Sequence, residues 1–162
     1  VLRYAAVHRH VRGQYFTNPN FTAHFSVLCL ASGGTDTGNY DFEMKQLNEH
    51  INIQLELLGK RFAYEDLHIR FYLESDSDKF TSALRAQQFR WKEKVAQSEA
   101  TLSNRYYETF QYKVFLKKGG MEIDLADGGM VNWTQKLLQN RKQRLCISGL
   151  GLELIERLDD NR

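Results

Sequence analysis

Several segments of the chain alternate between apolar and polar residues, the period expected of a β-strand with one covered face. In residues 106–116, Phe110 and Tyr112 fall on one face while Gln111 and Lys113 fall on the other. Strands are predicted in this way at residues 2–10, 21–31, 67–73, 106–116, 121–125 and 144–148. Loops join the first two and the fourth and fifth of these strands directly, which favours hairpins and an antiparallel sheet.

Apolar side chains at three- and four-residue spacing predict helices between and after the strands. The strongest helical pattern begins at Tyr40, runs through Met44, Leu47 and Ile51, and ends at Gly59. Further helices are predicted at residues 77–100, 131–139 and 152–158. Hairpin strands with helices between and after them indicate an α+β domain, in which an antiparallel β-sheet is flanked by helices on one face.

The densest local pattern lies in residues 122–158. A Gly-Gly pair at residues 128–129 is followed by a basic run, a short apolar strand and the small-residue sequence Ser-Gly-Leu-Gly at residues 148–151. These last four residues are interpreted as a turn between the strand and a final amphipathic helix. Because glycine lets the backbone approach another backbone or a ligand closely, this junction is expected to border whatever the protein binds.

The overall composition limits the classes of protein that the chain can belong to. A length of 162 residues with 42% hydrophobic residues indicates one globular domain over residues 1–162. The net charge of +2 is too small to indicate a nucleic-acid partner by itself. No segment has the length and apolar content of a membrane span or the pattern of a signal peptide. Isolated Cys29 and Cys146 indicate reduced thiols and a cytoplasmic protein. Since the chain starts at Val1, it is interpreted as a fragment of a longer protein.

Two short motifs could bind a nucleotide or a metal, and neither is complete. Gly149 and Gly151 form a Gly-x-Gly sequence, but Leu154 occupies the position of the third glycine of a dinucleotide fingerprint. A tight junction between strand and helix is the alternative. His8 and His10 share one face of a predicted strand, where two imidazoles could meet one ion. No third ligand has a useful spacing, so no metal site is predicted.

Basic side chains suggest contacts with phosphate. Arg9 and Arg12 could hold a phosphate bidentately, and Phe25 on the paired strand could stack on a nucleobase. The alternative is a solvated hairpin with two surface arginines. A second basic group could contact an RNA backbone or form an ordinary solvated face: Lys136, Arg141, Lys142 and Arg144.

Together these motifs resemble the catalytic core of class II aminoacyl-tRNA synthetases, in particular the alanyl and histidyl types. Arg9, the loop at residues 11–20 and the returning strand with His24 and Phe25 resemble the second motif of that family. Residues 148–153 resemble its third motif, Gly-x-Gly-x-Glu-Arg. The implied fold is an antiparallel sheet on which an arginine-bearing hairpin and a final strand-helix turn hold ATP.

Four other segments also resemble the family. Residues 38–40, together with the amphipathic helix and the strand at residues 67–73 after them, are similar to the region downstream of the second motif in the alanyl type. Residues 105–107 resemble the start of the histidyl amino-acid-binding strand, and residues 127–129 resemble the Gly-Gly turn of that type. The resemblance therefore extends over most of the chain.

The resemblance implies a ligase that forms an acyl-adenylate from ATP, with Mg²⁺, and an amino acid or another small carboxylate. Arg9 and Arg12 would orient the phosphates. The implied nucleotide site consists of Phe25, Gly149, Gly151, Glu153 and Arg157. The implied substrate site consists of Tyr107, Thr109, Gln111, Gly128 and Gly129. Further candidate partners are tRNA and, through an upstream first motif, a second copy of the chain.

One departure from the family pattern supports a different function. Leu154 stands where the third motif has its arginine, and a leucine offers neither charge nor hydrogen-bond donors. Arg157 lies one turn further along the predicted helix and could replace that arginine with a different reach. The alternative is a non-catalytic synthetase paralogue acting as a regulatory, RNA-binding or subunit-assembly module. A third interpretation is an α+β domain that only mimics these motifs.

Overall fold

The computed structural model describes residues 1–13, 17, 22–74, 78–95, 100–102 and 106–159. Most of the loop at residues 11–20, including Pro19, therefore lies outside the described residues. Residues 77 and 96–99 of the helix predicted at residues 77–100 also lie outside the described residues, as does Arg105.

A seven-stranded sheet in the order β1-β2-β7-β6-β5-β3-β4 forms the centre of the domain. Neighbouring strands are antiparallel except β3 and β4, which are parallel. The strands are β1 Leu2–Val11, β2 His24–Thr35, β3 Leu67–Leu73, β4 Ala100–Thr101, β5 Glu108–Lys118, β6 Met121–Val131 and β7 Gln143–Gly151. The helices are α1 Asp41–Leu58, α2 Asp78–Ala86, α3 Trp133–Leu137 and α4 Leu152–Asp159. The predicted antiparallel α+β fold is confirmed.

The two faces of the sheet have different environments. On β7, Cys146, Ser148 and Leu150 are buried, whereas Ile147 and Gly149 between them are half-buried. The buried side chains face α1, whose apolar residues pack into the main hydrophobic core. We call this side the covered face and the opposite side the open face. Because α1, α2 and α4 all contribute to this core, the open face is the side on which a ligand can reach the sheet.

Buried polar groups join α1 to the sheet from the covered face. His50, which is only 2% exposed, lies between two serines, with Nε2 2.9 Å from Ser32 Oγ and Nδ1 3.0 Å from Ser148 Oγ. One turn later, the Gln54 amide donates to the Gly149 carbonyl at 3.3 Å and accepts a hydrogen bond from Tyr112 at 3.0 Å. These bonds satisfy buried polar atoms and fix β7 relative to α1.

Strands β6 and β7 are longer than the sequence pattern predicts because they contain glycines. The predicted turn at residues 148–151 is wrong: β7 continues through Gly151, and α4 begins at the next residue. The predicted Gly-Gly turn at residues 128–129 is also wrong, since both glycines lie inside β6. A Cβ added to Gly128 would lie 2.6 Å from Ser148 Cβ, so glycine here permits close packing between strands.

The long helix predicted at residues 77–100 is also incorrect. Its helical part is α2, Asp78–Ala86, and a 3-10 turn at Lys92–Lys94 and the short strand β4 come after it. Phe89 and Trp91 stack on each other, with ring centroids 4.8 Å apart, and Trp91 also contacts Phe71 of β3. Aromatic packing against the sheet therefore stabilises this segment in an irregular conformation. Among the described residues, no helix has the length and apolar content of a membrane span.

Candidate functional site

The open face contains a cavity of about 510 Å³ where β2, β7 and β6 lie side by side. Such a volume lies within the range of small-molecule sites. Its lining residues are Arg12, Thr22, Phe25, Val27, Lys113, Glu122, Ile123, Asp124, Leu125, Ala126, Asp127, Gly149, Gly151, Glu153 and Leu154. The sequence placed Arg12, Phe25, Gly149, Gly151 and Glu153 in one site, and the fold brings all five to this cavity.

Phe25 forms an aromatic platform on the β2 side of the cavity. The guanidinium carbon of Arg12 lies 4.1 Å from the centroid of the Phe25 ring, a cation-π contact. The His10 ring stacks beside Phe25 with a centroid distance of 5.5 Å. Arg12 and Phe25 are therefore together, as expected for a site that binds a planar group or an anion.

Arg9 lies on the other side of the sheet. In the β1–β2 register His10 is opposite Phe25 and Arg9 is opposite Ser26, so Arg9 shares the covered side of the sheet with Ser26. His8 and His10 occupy the positions on β1 that face the same side as Phe25. The structure therefore does not bring Arg9 to the cavity with Arg12, although the sequence pattern predicts both arginines in one phosphate site.

Glycines keep the floor of the cavity open. Gly149 and Gly151 of β7 line it, and a Cβ added to Gly149 would lie 3.0 Å from Val27 Cγ1 and 3.8 Å from Asp127 Oδ1. Gly128 faces the covered side, where it packs on Ser148 and Tyr112. Two of the glycines assigned from the sequence thus border the cavity, while Gly128 serves packing in the core.

The start of α4 closes one end of the cavity. The Glu153 carboxylate accepts a hydrogen bond from the Ser26 backbone N–H and so ties α4 to β2. Leu154 lines the cavity at the position where the family resemblance places an arginine. Arg157, the proposed replacement for that arginine, is not among the described residues that line the cavity.

Two of the expected substrate residues converge on Asp127. The Gln111 amide donates to Asp127 Oδ2 at 3.4 Å, and Tyr107 is also hydrogen bonded to this carboxylate. Thr109 instead occupies an irregularity in the β5–β6 register with φ of 63°, and its carbonyl accepts from the Glu74 N–H at 3.1 Å. Tyr107 and Gln111 therefore support a cavity carboxylate, whereas Thr109 shapes the backbone.

Gly129 packs close to both residues that support Asp127. A Cβ there would lie 2.7 Å from Tyr107 Cδ1 and 3.2 Å from Gln111 Cα. Protein atoms therefore occupy the space beside Gly129 on the open face, and Gly129 does not line the cavity.

The cavity contains more negative than positive charge. Among the described residues that line it, four side chains are acidic and two are basic. Lys113, one of the two basic residues, is already paired with Asp124 at 2.6 Å. Burial raises the pKa of Asp127 above its ordinary value. The hydrogen-bond partners of Asp127 come from a neighbouring segment of the sheet, so the local sequence does not identify them.

The basic group proposed for RNA contact is divided by the fold. Arg144 donates to Asp36 at 2.6 Å and to Glu43 at 2.8 Å, so this side chain is held within the protein. Lys136, Arg141 and Lys142 remain exposed on α3 and the turn after it. The part of the chain that the structure describes contains no cluster of three His, Cys, Asp or Glu side chains suited to a metal ion.

Replacing Arg144 by methionine tests its structural role. The change leaves the buried Glu43 carboxylate without its cation, and the free energy of unfolding should fall by about 2 kcal/mol. Chemical denaturation followed by tryptophan fluorescence measures this. Arg141→Met, which removes an exposed side chain nearby, should cost less than about 0.5 kcal/mol. Equal losses for the two variants would show that the ion pairs of Arg144 do not stabilise the fold.

Comparisons with known proteins identify the fold but no close relative. No family model and no curated protein match the chain. Histidyl-tRNA synthetase from S. aureus matches with a TM-score of 0.62 and 12% identity, over 86% of this chain and 41% of that chain. A protein described as an ATP phosphoribosyltransferase regulatory subunit/histidyl-tRNA synthetase from Bacillus halodurans also matches, with a TM-score of 0.62 and 14% identity. The match covers 96% of this chain and 58% of that chain.

Pyrrolysyl-tRNA synthetase from Desulfitobacterium hafniense matches with a TM-score of 0.53 and 18% identity, over 99% of this chain and 42% of that chain. The chain thus spans less than two thirds of the length of each of these proteins. All three have class II synthetase folds, and the chain shares that fold. At these identities the likeness establishes the fold alone.

Proposed function

We propose that this domain is a synthetase-like ligand-binding module that has lost acyl-adenylate chemistry and acts in regulation or subunit assembly. The observation that carries the proposal is the absence of phosphate-binding donors at two expected positions. Leu154 lines the cavity where an arginine is expected, and Arg9 lies on the opposite side of the sheet. Without these groups, Arg12 is the main cation among the described cavity residues that could stabilise the charge that develops during phosphoryl or adenylyl transfer.

Electrostatics also argue against ATP as the main ligand. A triphosphate would enter a cavity lined by four carboxylates, of which Glu122 and Asp124 are already paired with cations. Arg12, which lies over the Phe25 ring, is the main cation left for the phosphates among the described residues. Carboxylates at close range repel phosphate oxygens by several kcal/mol per pair at low effective dielectric, about 4 kcal/mol at 4 Å. The residues present therefore fit ATP without a metal ion poorly, whereas carboxylates are the kind of ligand that Mg²⁺ takes together with phosphate oxygens.

Other features favour retained binding of a small molecule. The cavity has a suitable volume, a glycine floor and an aromatic platform at Phe25. In addition, the name of the Bacillus halodurans neighbour includes a regulatory subunit, so a protein of this fold has been assigned a regulatory role. We infer the same kind of role for this domain.

An ATP-dependent aminoacyl ligase is the second candidate, and the contact between Arg12 and Phe25 favours it. Titration calorimetry with ATP and Mg²⁺, and pyrophosphate exchange with each of the twenty amino acids, distinguish the two. We expect no exchange and at most weak ATP binding, with thermal stabilisation by a small organic ligand. Exchange that depends on one amino acid, and that Arg12→Met abolishes, would refute the proposal.

Restoring the missing cation gives a positive test. Leu154→Arg should tighten ATP binding by about tenfold, the effect of one charge-assisted hydrogen bond worth about 1.4 kcal/mol. Glu156→Gln, on the exposed side of α4, raises the net charge by the same amount away from the cavity and should leave ATP binding unchanged. If both variants tighten binding equally, the effect is one of net charge, and Leu154 is not what prevents ATP binding.

A further inference from the structure

Helix α3 presents its apolar residues to solvent and its polar residues to the protein. Leu137 and Leu138 are 82% and 59% exposed, whereas Thr134 and Gln135 are half-buried and the Thr134 hydroxyl is shielded from solvent. In a helix that only covers a core, the apolar residues lie on the inner side. The reason for this reversed arrangement therefore lies outside the core of the domain.

Two aromatic side chains extend the exposed apolar surface. Trp133 is 46% exposed and Tyr106 is 51% exposed, and their rings meet edge to face with centroids 5.3 Å apart. Trp133 and Leu137 are four residues apart and so lie on one side of the helix. We call Tyr106, Trp133, Leu137 and Leu138 the α3 patch, and none of these four residues lines the cavity. Large apolar side chains grouped on one surface are typical of a contact with another molecule.

The turn after α3 gives the patch a defined shape. Gln139 adopts a left-handed backbone conformation with φ of 48° just after the helix. The Asn140 side chain accepts a hydrogen bond from the Lys142 N–H at 2.9 Å, and the Lys142 carbonyl accepts one from the Asp36 N–H at 2.7 Å. The leucines are therefore positioned before a partner arrives, which reduces the entropy that binding costs.

The segment that carries the patch is basic. Residues 128–152 include four basic residues and no acidic residue. Arg144 is held by ion pairs within the protein, while Lys136, Arg141 and Lys142 are exposed on α3 and the turn after it.

Carboxylates from other elements do not balance these three exposed cations. Among the described residues, Asp36 and Glu43 are bonded to this segment through Arg144, which they neutralise. Glu108 of β5 accepts a hydrogen bond from Asn132, just before α3. Three exposed basic residues against one such acid leave the surface around the leucines positive.

We propose that the α3 patch docks an acidic amphipathic segment of a partner protein. The apolar side of that segment would lie on Leu137 and Leu138, and its carboxylates would lie beside Lys136 and Lys142. Tryptophan and tyrosine are enriched in protein interfaces, and opposite charges across an interface direct association. This inference goes beyond the proposed function, because it assigns a surface and a partner that do not involve the ligand cavity.

Three other occupants fit this surface less well. A single-stranded nucleic acid stacks its bases on aromatic rings, yet the most exposed residues of the patch are the aliphatic Leu137 and Leu138. A helix that lies on a membrane buries an extended apolar face, and α3 has only five residues. A second copy of the chain, paired about a twofold axis, would bring the basic residues of two patches together.

Tryptophan fluorescence reports binding at the patch directly. The chain has two tryptophans, of which Trp91 is 1% exposed and Trp133 lies in the patch. The probes are two synthetic peptides of about 18 residues, or about five helical turns, that share a leucine face and carry either glutamates or lysines on the polar face. We expect the glutamate peptide to shift the Trp133 emission to shorter wavelength in a saturable way that added salt weakens, and the lysine peptide to have no effect.

Leu137→Ser and Met121→Ser form a matched pair, because each removes an exposed apolar side chain and Met121 lies at the start of β6, outside the patch. We expect the first change to weaken binding of the glutamate peptide by about tenfold or more, and the second to leave it unchanged. Neither variant should melt below the wild type, since both side chains are exposed. Replacing Lys136 and Lys142 together by glutamate should reverse the preference between the two peptides.

Equal binding of the two peptides, equal binding of the glutamate peptide to the wild type and Leu137→Ser, or no binding of either peptide would overturn the proposal. Binding of an RNA oligomer or of phosphatidylserine vesicles that Leu137→Ser abolishes would overturn it in favour of that class of partner, and self-association lost in this variant would assign the patch to a second copy. These assays use neither ATP nor an amino acid. Pyrophosphate exchange by a chain that also binds the glutamate peptide would therefore refute the proposed function and leave this inference standing.

Discussion

Alanine at Gly129 should lower the free energy of unfolding by about 3 kcal/mol, at the upper end of the range for overpacking a close-packed site. The added Cβ would lie 2.4 Å from the carbonyl oxygen of Phe110 and 3.2 Å from Gln111 Cα. Both are backbone atoms of the paired strand β5, so relief requires β5 and β6 to separate. Unfolding in urea, followed by tryptophan fluorescence, measures the loss.

Gly33→Ala is the matched control. Gly33 also lies in an interior strand of the sheet, and the nearest atom to its added Cβ is Leu145 Cδ1 at 4.0 Å, an ordinary van der Waals distance. We expect a change of less than about 1 kcal/mol there, because alanine loses less backbone entropy on folding than glycine. A loss at Gly129 no larger than the loss at Gly33 would mean that β6 can shift away from β5 at little cost.

The same contacts explain which parts of the fold can be predicted from sequence. Residues 67–73 alternate cleanly between buried and half-buried positions and form β3 over the predicted range. In β6 and β7, by contrast, glycines indicate turns in sequence, yet there they allow strands to approach closely. The distinction depends on which side chains lie on neighbouring strands, and the local sequence does not contain that information.

The sequence likewise predicted some residues of the candidate site and not others. Phe25, Gly149 and Glu153 reach one cavity because sheet topology places β2 beside β7. Arg9 is opposite Ser26 and not opposite Phe25, and a shift of one residue in strand pairing moves a side chain to the other face. The pattern of β1 itself does not reveal its register, because its residues are exposed on both faces.

Asp127 was missed for a related reason. Its hydrogen-bond partners are Gln111 in the neighbouring strand β5 and Tyr107 just before that strand, and both are distant from Asp127 along the chain. The one signal available in sequence was an acidic residue inside an otherwise apolar and glycine-containing strand, residues 125–131. A charge at such a position costs stability unless it has a partner, and Tyr107, Gln111 and Lys113 act as partners of Asp127.

The buried His50 should make the stability of the domain depend on pH. Burial between Ser32 and Ser148 lowers the pKa of His50 from 6.5 to about 4. In the folded state the imidazole therefore stays neutral at pH values where it is protonated in the unfolded chain. The stabilisation is complete above pH 6.5 and is lost as the pH falls towards 4, by a total of about 3 kcal/mol.

His50→Gln tests this assignment, because glutamine can still hydrogen bond to a serine hydroxyl but does not titrate. The variant should be less stable than the wild type at pH 7.5, and the gap should narrow by about 3 kcal/mol on going to pH 4 as the wild type loses stability. His24→Gln, which removes an exposed imidazole at the start of β2, should follow the wild-type curve. A constant gap between His50→Gln and the wild type would show that His50 does not titrate differently on unfolding. The acid sensitivity of the domain would then have to come from its carboxylates, and the bonds of His50 to the two serines would contribute equally at all pH values.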